Sequence, residues 1–260
     1  MTGNIVSGIK LSDGYIVETV YYGSGTLCIS SQVGCAIGCP FCASGMSGLI
    51  RNLSVEELDR QVDDALEKGY DIKRVTISGI GEPLHNFDNV KSFIENCSLP
   101  VSVTTTGVVP DKLSELMNMN HNGVMLSLHA GRDETYGKVI PANRSLSEII
   151  SSLREIWKDL SRNKKRKTGF NYMLLDGLND SDAEVEAFCK IISEFKEGVT
   201  HLLVCNDVEG SRYEGVSDEV LQSIYQTFRE KGLNVRRANG WRRMREGGCG
   251  TLFAKEIADE

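Results

Sequence analysis

Hydrophobic positions along the chain follow two alternating periods. Short runs rich in β-branched and aromatic residues read as strands: "YIVETVYY", "GTLCIS", "KRVTIS" (73–78), "PVSVTT", "GVMLSLH" (123–129), "GFNYMLL", "VTHLLVC" (199–205) and "NVRR". Between them, apolar residues recur at helical spacing. Val55, Leu58, Val62, Ala65 and Leu66 share one face over 54–69, behind a capping box of Ser54 and Glu57. Leu146, Ile149, Ile150, Leu153, Ile156, Trp157 and Leu160 do so over 145–160, behind Ser145 and Glu148. Ser181 and Glu184 suggest a third capping box, and "NFDNVKSFIENC", "PDKLSELMNMN" and "SDEVLQSIYQTFREKG" complete the helices.

Strands alternating with helices predict a parallel sheet covered by helices. Six such units follow residue 42. That number suits an α/β fold of the partial (β/α)6 TIM-like barrel kind, with a short N-terminal β extension, better than a full eightfold barrel. A doubly wound open sheet is the alternative. Either way, function is expected at the carboxyl ends of the strands. Neither a linker nor a sequence repeat interrupts the pattern. A single domain over 1–260 is expected, with N-terminal strands to residue 31, the partial barrel over 32–240 and a C-terminal segment over 241–260.

With 260 residues, 40% hydrophobic and 25% charged, the chain can bury a core without disulfide staples. It shows no secretory signal and no apolar run of about 18 residues, so a cytoplasmic, membrane-free protein is expected, a monomer. The net charge of −7 argues against a general polyanion binder. Two basic blocks, "RNKKRK" (162–167) and "RRANGWRRMR" (236–245), read as solvated faces or as local phosphate-contacting patches.

Four of eight cysteines crowd into "CISSQVGCAIGCPFC" (28–42). In a reducing compartment such spacing favours metal binding or catalysis over disulfides. Cys35, Cys39 and Cys42 supply three thiolates from one loop, one short of the four that commonly hold a [4Fe–4S] cube. The remaining iron would be open to a small molecule. Structural zinc is the competing reading, but it wants four closed ligands, and no His or second C-x2-C stands nearby. Cys97, Cys189 and Cys205 sit in apolar contexts and read as small buried hydrophobes.

C-x3-C-x2-C with Phe41 before the last cysteine resembles the radical S-adenosylmethionine (SAM) signature, and "SGIGEP" (78–83), with Gly81, Glu82 and Pro83, resembles the loop that holds the SAM amino group. The blocks "GIGEPLHNFDNV", "VTTTGVVP", "LSLHAGRDE", "IPANR", "YMLLDGLND" and "GGCGTLFA" extend the resemblance, in order over about residues 10–254, to the RlmN/Cfr family of radical SAM RNA adenine methyltransferases. The resemblance implies a [4Fe–4S] cluster on Cys35, Cys39 and Cys42, two SAM per turnover, and an electron donor such as flavodoxin or ferredoxin. It implies that Cys249, in "CGTL", carries a methyl group. That group is delivered to C2 or C8 of adenine in RNA. Cys28 then helps remove the ring proton and ends in a disulfide with Cys249. Thr105, Thr106, Ser127, His129 and Asn206 match SAM-contacting positions, although a Ser or Thr at a strand end is ordinarily a cap. His129 and His85 are candidate bases, or structural.

Three departures bear on the substrate. The chain begins almost at the core, without the family's additional N-terminal domain. "CNDVEGSRY" keeps Asn206 but lacks the family's prolines, and the segment before Cys249, "NGWRRMREGG", is basic where the family is acid-rich. Trp241, Arg242, Arg243 and Arg245 there suit base stacking and phosphate contact. A small heteroaromatic metabolite is thus an alternative substrate. A non-catalytic iron–sulfur RNA-binding protein is the third reading, and it would have no use for both Cys28 and Cys249.

Overall fold

The computed structural model describes residues 3–256, so the first two residues of the N-terminal strands and the last four of the C-terminal segment lie outside the described residues. The strands are β1 (Ile5–Lys10), β2 (Tyr15–Tyr22), β3 (Thr26–Ile29), β4 (Gln32–Gly34), β5 (Leu49–Asn52), β6 (Arg74–Ile77), β7 (Val101–Thr105), β8 (Gly123–Ser127), β9 (Thr168–Leu174), β10 (Val199–Val204), β11 (Val235–Arg237) and β12 (Lys255–Glu256). The main sheet runs β1-β2-β3-β6-β7-β8-β9-β10-β11, with β12 on β2. From β3 to β11 every pairing is parallel, and β1, β2 and β12 pair antiparallel. The sheet does not close on itself by hydrogen bonds, which fits an open, partial barrel. The parallel array begins at β3, inside the stretch expected to be N-terminal extension. β4 and β5 form a separate hairpin around the cysteine loop.

Helices α1 (Ala43–Met46), α2 (Val55–Glu67), α3 (Phe87–Asn96), α4 (Pro110–Asn118), α5 (Asp133–Val139), α6 (Leu146–Asp159), α7 (Arg162–Arg166), α8 (Asp182–Ile192) and α9 (Asp218–Glu230) fill the crossovers. Burial sorts the strands as parallel sheets require: the central β9 is buried at all seven positions. Tyr172 of β9 stacks on Phe188 of α8 at 4.2 Å, fixing that helix on the sheet.

The first two capping boxes form as expected, each with both reciprocal bonds. The third is half made. Ser181 accepts from the Glu184 amide, but the Glu184 carboxylate turns away. It accepts instead from the amides of Gly131 and Arg132 and from the Thr135 hydroxyl, and it pairs with the Arg132 guanidinium at 3.1 Å. Three unpaired donors at the start of α5 outbid one N-cap amide, so tertiary structure overrides the local motif.

Part of the "RNKKRK" block is structural. It forms α7, and Lys164 and Lys167 donate to the carbonyls of Met119 and His121, beyond the end of α4. Among the described residues no helix is long and apolar enough to cross a membrane.

Candidate active site

A cavity opens at the carboxyl ends of β6 to β10, where parallel strands leave backbone and side chains free to converge. It encloses about 1020 Å³ of atom-free space, its mouth included, the scale of a small-molecule site. Cys35, Cys39 and Cys42 line it from one side. Their loop is pinned by the Cys35 amide on the Gly48 carbonyl at 2.9 Å and by the Cys42 amide on the Cys39 carbonyl at 3.1 Å.

Cys28 enters from β3, fully buried, with its sulfur 3.3 Å from the Ser78 hydroxyl. Cys249 reaches the same cavity from the far end of the chain. After β11 the chain crosses back to join β2 through β12, and the cysteine loop holds it on the way. Ala43 donates to the Gly250 carbonyl at 2.8 Å, and the Ser44 hydroxyl donates to the Leu252 carbonyl at 2.6 Å. Gly248 permits the close approach, since a Cβ there would stand 2.2 Å from the Met244 carbonyl oxygen.

The "GEP" loop also faces the cavity. Gly81 has φ 107°, and a Cβ on it would stand 2.7 Å from the Gln32 side chain. Glu82 is buried, and its carboxylate accepts from the Thr105 hydroxyl, from the amide and hydroxyl of Thr106, both at 2.8 Å, and from the Leu84 amide at 3.0 Å. Thr105 and Thr106 line the cavity but spend their hydroxyls on Glu82. Pro83 is buried behind them as the first residue of a 3₁₀ turn. Phe41 and Ser127 line the cavity as expected.

His129 lines the cavity too, in a left-handed conformation (φ 56°). Its Nδ1 stands 3.0 Å from both the Met173 amide and the Asn171 carbonyl, so the backbone of β9 occupies that nitrogen. Burial pushes its pKa down to about 4. Nδ1 is therefore not free to act as a base at neutral pH. His85 does not line the cavity; its carbonyl accepts from Asn52. Asn206 also stands outside the lining. Its amide donates to the Arg242 carbonyl at 3.0 Å and to the Cys249 carbonyl at 2.9 Å, strapping the Cys249 loop to the end of β10.

Of the four residues expected at the substrate, Arg242 alone enters this cavity. Arg243 pairs with Asp218 at 2.8 Å, Trp241 is half-buried with its carbonyl taken by Asn4, and Arg245 lies beside a second depression with Met46 and Phe253. Cys189 and Cys205 are buried as expected, while Cys97 is half-buried.

Tyr22 and Asn171 are among the lining residues that were not anticipated. Tyr22 spans the site from β2, its hydroxyl donating to the Gly247 carbonyl at 3.2 Å. Asn171 of β9 is 2% exposed, and its Oδ1 has no hydrogen-bond partner. A lone amide in a wholly buried strand was the available signal.

The thiols resist ionisation. Burial pushes Cys35 up to about 12, and burial together with Cys42 and Cys35 pushes Cys39 well up. Burial also raises Cys28, partly offset by the Ser78 hydroxyl, and raises Cys249, partly offset by the Arg242 charge. Thiols pushed up in this way, as those of Cys35 and Cys39 are, become good ligands only beside strong positive charge, which irons supply. Two unpaired polar atoms suit the same occupants: Asn171 Oδ1, and the Tyr136 hydroxyl, close enough to Cys39 and Glu82 to feel their charge. The donor set therefore fits a [4Fe–4S] cluster with SAM. All eight cysteines are free thiols.

Known proteins resemble this chain in sequence and in fold. The radical SAM superfamily pattern matches residues 29–189. A probable dual-specificity RNA methyltransferase RlmN from Desulforamulus reducens is 34% identical over 239 residues, 86% of this chain and 67% of that protein. A probable RNA methyltransferase from Chromobacterium violaceum is 32% identical, over 95% of this chain and 71% of its own length. The crystal structure of a radical SAM methyltransferase from Sphaerobacter thermophilus superposes with a TM-score of 0.84 at 29% identity, covering 96% of this chain and 77% of that one. The chain spans about two thirds of the length of the curated relatives. It belongs to the radical SAM superfamily and, within it, to the RlmN family of methyltransferases, whose members carry a [4Fe–4S] cluster and use SAM.

Proposed function

We propose that this single domain methylates an unactivated sp² carbon, C2 or C8 of adenine in RNA, through a methyl group carried on Cys249. The supporting observation is that Cys28 and Cys249, from opposite ends of the chain, line one cavity with Cys35, Cys39 and Cys42. The relatives' names supply the RNA.

Such carbons are poor nucleophiles, so polar methyl transfer from SAM does not reach them. With its cluster on Cys35, Cys39 and Cys42, the site supplies one-electron cleavage of SAM to a carbon-centred radical, given a flavodoxin- or ferredoxin-type donor. The chain's own residues do the rest. Cys249 attacks the SAM methyl as a thiolate. Burial outweighs Arg242 in setting its ionisation, so the thiolate needs a further positive charge, such as the sulfonium it attacks. Its methyl group would give a hydrogen atom to that radical, the resulting carbon radical would bond to the ring, and the unpaired electron of the adduct would pass back to the site's one-electron carrier. Cys28 helps take the ring proton, and its sulfur closes on Cys249 to release the product. Glu82, fixed in place by Thr105 and Thr106, presents its carboxylate to the SAM amino group, and Ser127 and Asn171 offer further polar atoms.

Anaerobic reconstitution with SAM and reductant tests the reading. Mass spectrometry should find a methyl on Cys249, and Cys28→Ala should accumulate a covalent adduct with an adenine-containing RNA. An unmethylated Cys249 would overturn it, and an adduct with a small molecule would move the substrate from RNA to a metabolite.

A further inference from the structure

Arg242 is unlike the other arginines that hold ion pairs. Arg51 pairs with Asp13 and Glu57, Arg132 with Glu184, Arg154 with Glu194 and Arg243 with Asp218. Arg242 has no carboxylate within ion-pair distance among the described residues, although its guanidinium points into the active cavity. It faces Cys249, Tyr22 and Cys28 there. The cavity's acid, Glu82, already accepts four hydrogen bonds from Thr105, Thr106 and Leu84. A half-buried guanidinium that faces a cavity without a counter-charge is an unmatched cation, so the arrangement suits an anion that the fold does not provide.

Cys249 cannot be that anion when the substrate reacts. Methylation makes one S–C bond at Cys249 and breaks one at the SAM sulfonium. Thiolate and sulfonium become two neutral thioethers. The methylated site therefore holds a positive guanidinium facing a neutral sulfur, a phenol and a thiol. The backbone ties the two residues together, since the Cys249 amide donates to the Arg242 carbonyl at 3.1 Å and Asn206 holds both carbonyls. Whatever Arg242 grips is thereby registered against the methyl group.

We infer that Arg242 anchors an anionic group of the substrate, a phosphate attached to the nucleoside whose base is methylated. The inference rests on Cys249 as methyl carrier and deepens that reading. It names a phosphorylated nucleoside as the minimal recognised unit and singles out one arginine of the basic segment as its anchor. A guanidinium suits the task because its fork of donors matches phosphate oxygens two at a time.

Equilibrium binding to the cluster-loaded protein tests this with three probes: adenosine, adenosine 5′-monophosphate, and the dinucleotide ApA, whose phosphate is a diester. Wild type should prefer the phosphorylated probes over adenosine by about 10- to 100-fold, the worth of a hydrogen bond to a charged group. Arg242→Gln should remove the preference, and Arg242→Lys should keep part of it. A gain shared by ApA assigns the phosphate to an RNA backbone; a gain confined to the monophosphate assigns it to a free nucleotide. Equal binding of adenosine and its monophosphate by wild type, absence of binding by any probe, or a preference surviving in Arg242→Gln would overturn the proposal. The wild-type comparison needs no variant to fold. Mass analysis of Cys249 on the same wild-type protein reports separately on the carrier, so the two readings fail by different signals.

Discussion

The side-chain amide of Asn206 donates to the backbone carbonyl of Cys249 at 2.9 Å, joining the end of β10 to the loop that carries the reactive sulfur. The second amide hydrogen goes to Arg242, so one side chain sets both ends of that loop. Asn206→Ala should leave cluster incorporation intact and slow methylation of Cys249 by roughly 10- to 100-fold, the usual penalty for a reactive group held about 1 Å out of place. A time course of Cys249 methylation by mass spectrometry measures it. An unchanged rate would mean that the loop is positioned by its contacts to Ala43 and Ser44 alone.

Glu184 makes a second long-range connection, between the first turns of α8 and α5. Its side chain is 3% exposed and satisfies two amides, a hydroxyl and Arg132. Glu184→Ala would take one shared partner from two amides and a hydroxyl that are partly withdrawn from water. A loss of about 3 kcal/mol is expected in urea unfolding. Were Glu184 only the capping-box residue its spacing suggests, the loss would be nearer 1 kcal/mol.

The same residue shows where sequence reading stops. Periodicity placed the strands and helices because burial on a parallel sheet dictates it, and two capping boxes formed because nothing else competed for their carboxylates. Glu184 failed the pattern because a neighbouring helix start offered more donors, and spacing along one segment cannot register that. The cysteine loop was legible because its spacing is chemical, and Cys249 through the resemblance of "CGTL" to the RlmN/Cfr pattern. Their convergence depends on the chain crossing from β11 to β2, a matter of topology. Asn206 and Arg242 exchanged importance for the same reason. Strand-end position suggested Asn206 as a ligand contact, whereas the returning loop claimed its amide and turned one of four neighbouring polar residues inward.

Two buried histidines, His121 and His129, and the half-buried His201 make stability depend on pH. Burial pushes His121, His129 and His201 down to about 4, while an unfolded histidine titrates near 6.5. Between those values the unfolded chain binds more protons than the native one, so protonation favours unfolding. The stability that neutral histidines permit is fully present above about pH 6.5 and is lost as pH falls towards 4, at up to about 1.4 kcal/mol per pH unit for each residue. Denaturant unfolding of the cluster-free protein across pH 4–7 should show this slope, and His129→Gln should reduce it by about one histidine's share. An unaltered slope would show that His129 is not held neutral.

Tyr136 offers a separate test of the cluster site. Its hydroxyl is buried without a partner, beside Cys39 and Glu82. In the cluster-free protein that group is a burden, so Tyr136→Phe should leave stability unchanged or raise it by about 1 kcal/mol. With a cluster in place, the dipole of the same hydroxyl lies close enough to Cys39 to bear on its charge, and a polar group that stabilises negative charge on a ligand sulfur raises a cluster's reduction potential. Tyr136→Phe should then lower that potential, measured by redox titration of the cluster's electron paramagnetic resonance signal. The two arms move in opposite senses, which an ordinary packing residue would not produce. A destabilised cluster-free variant would show that the hydroxyl already has a partner, and an unshifted potential would place it out of reach of Cys39.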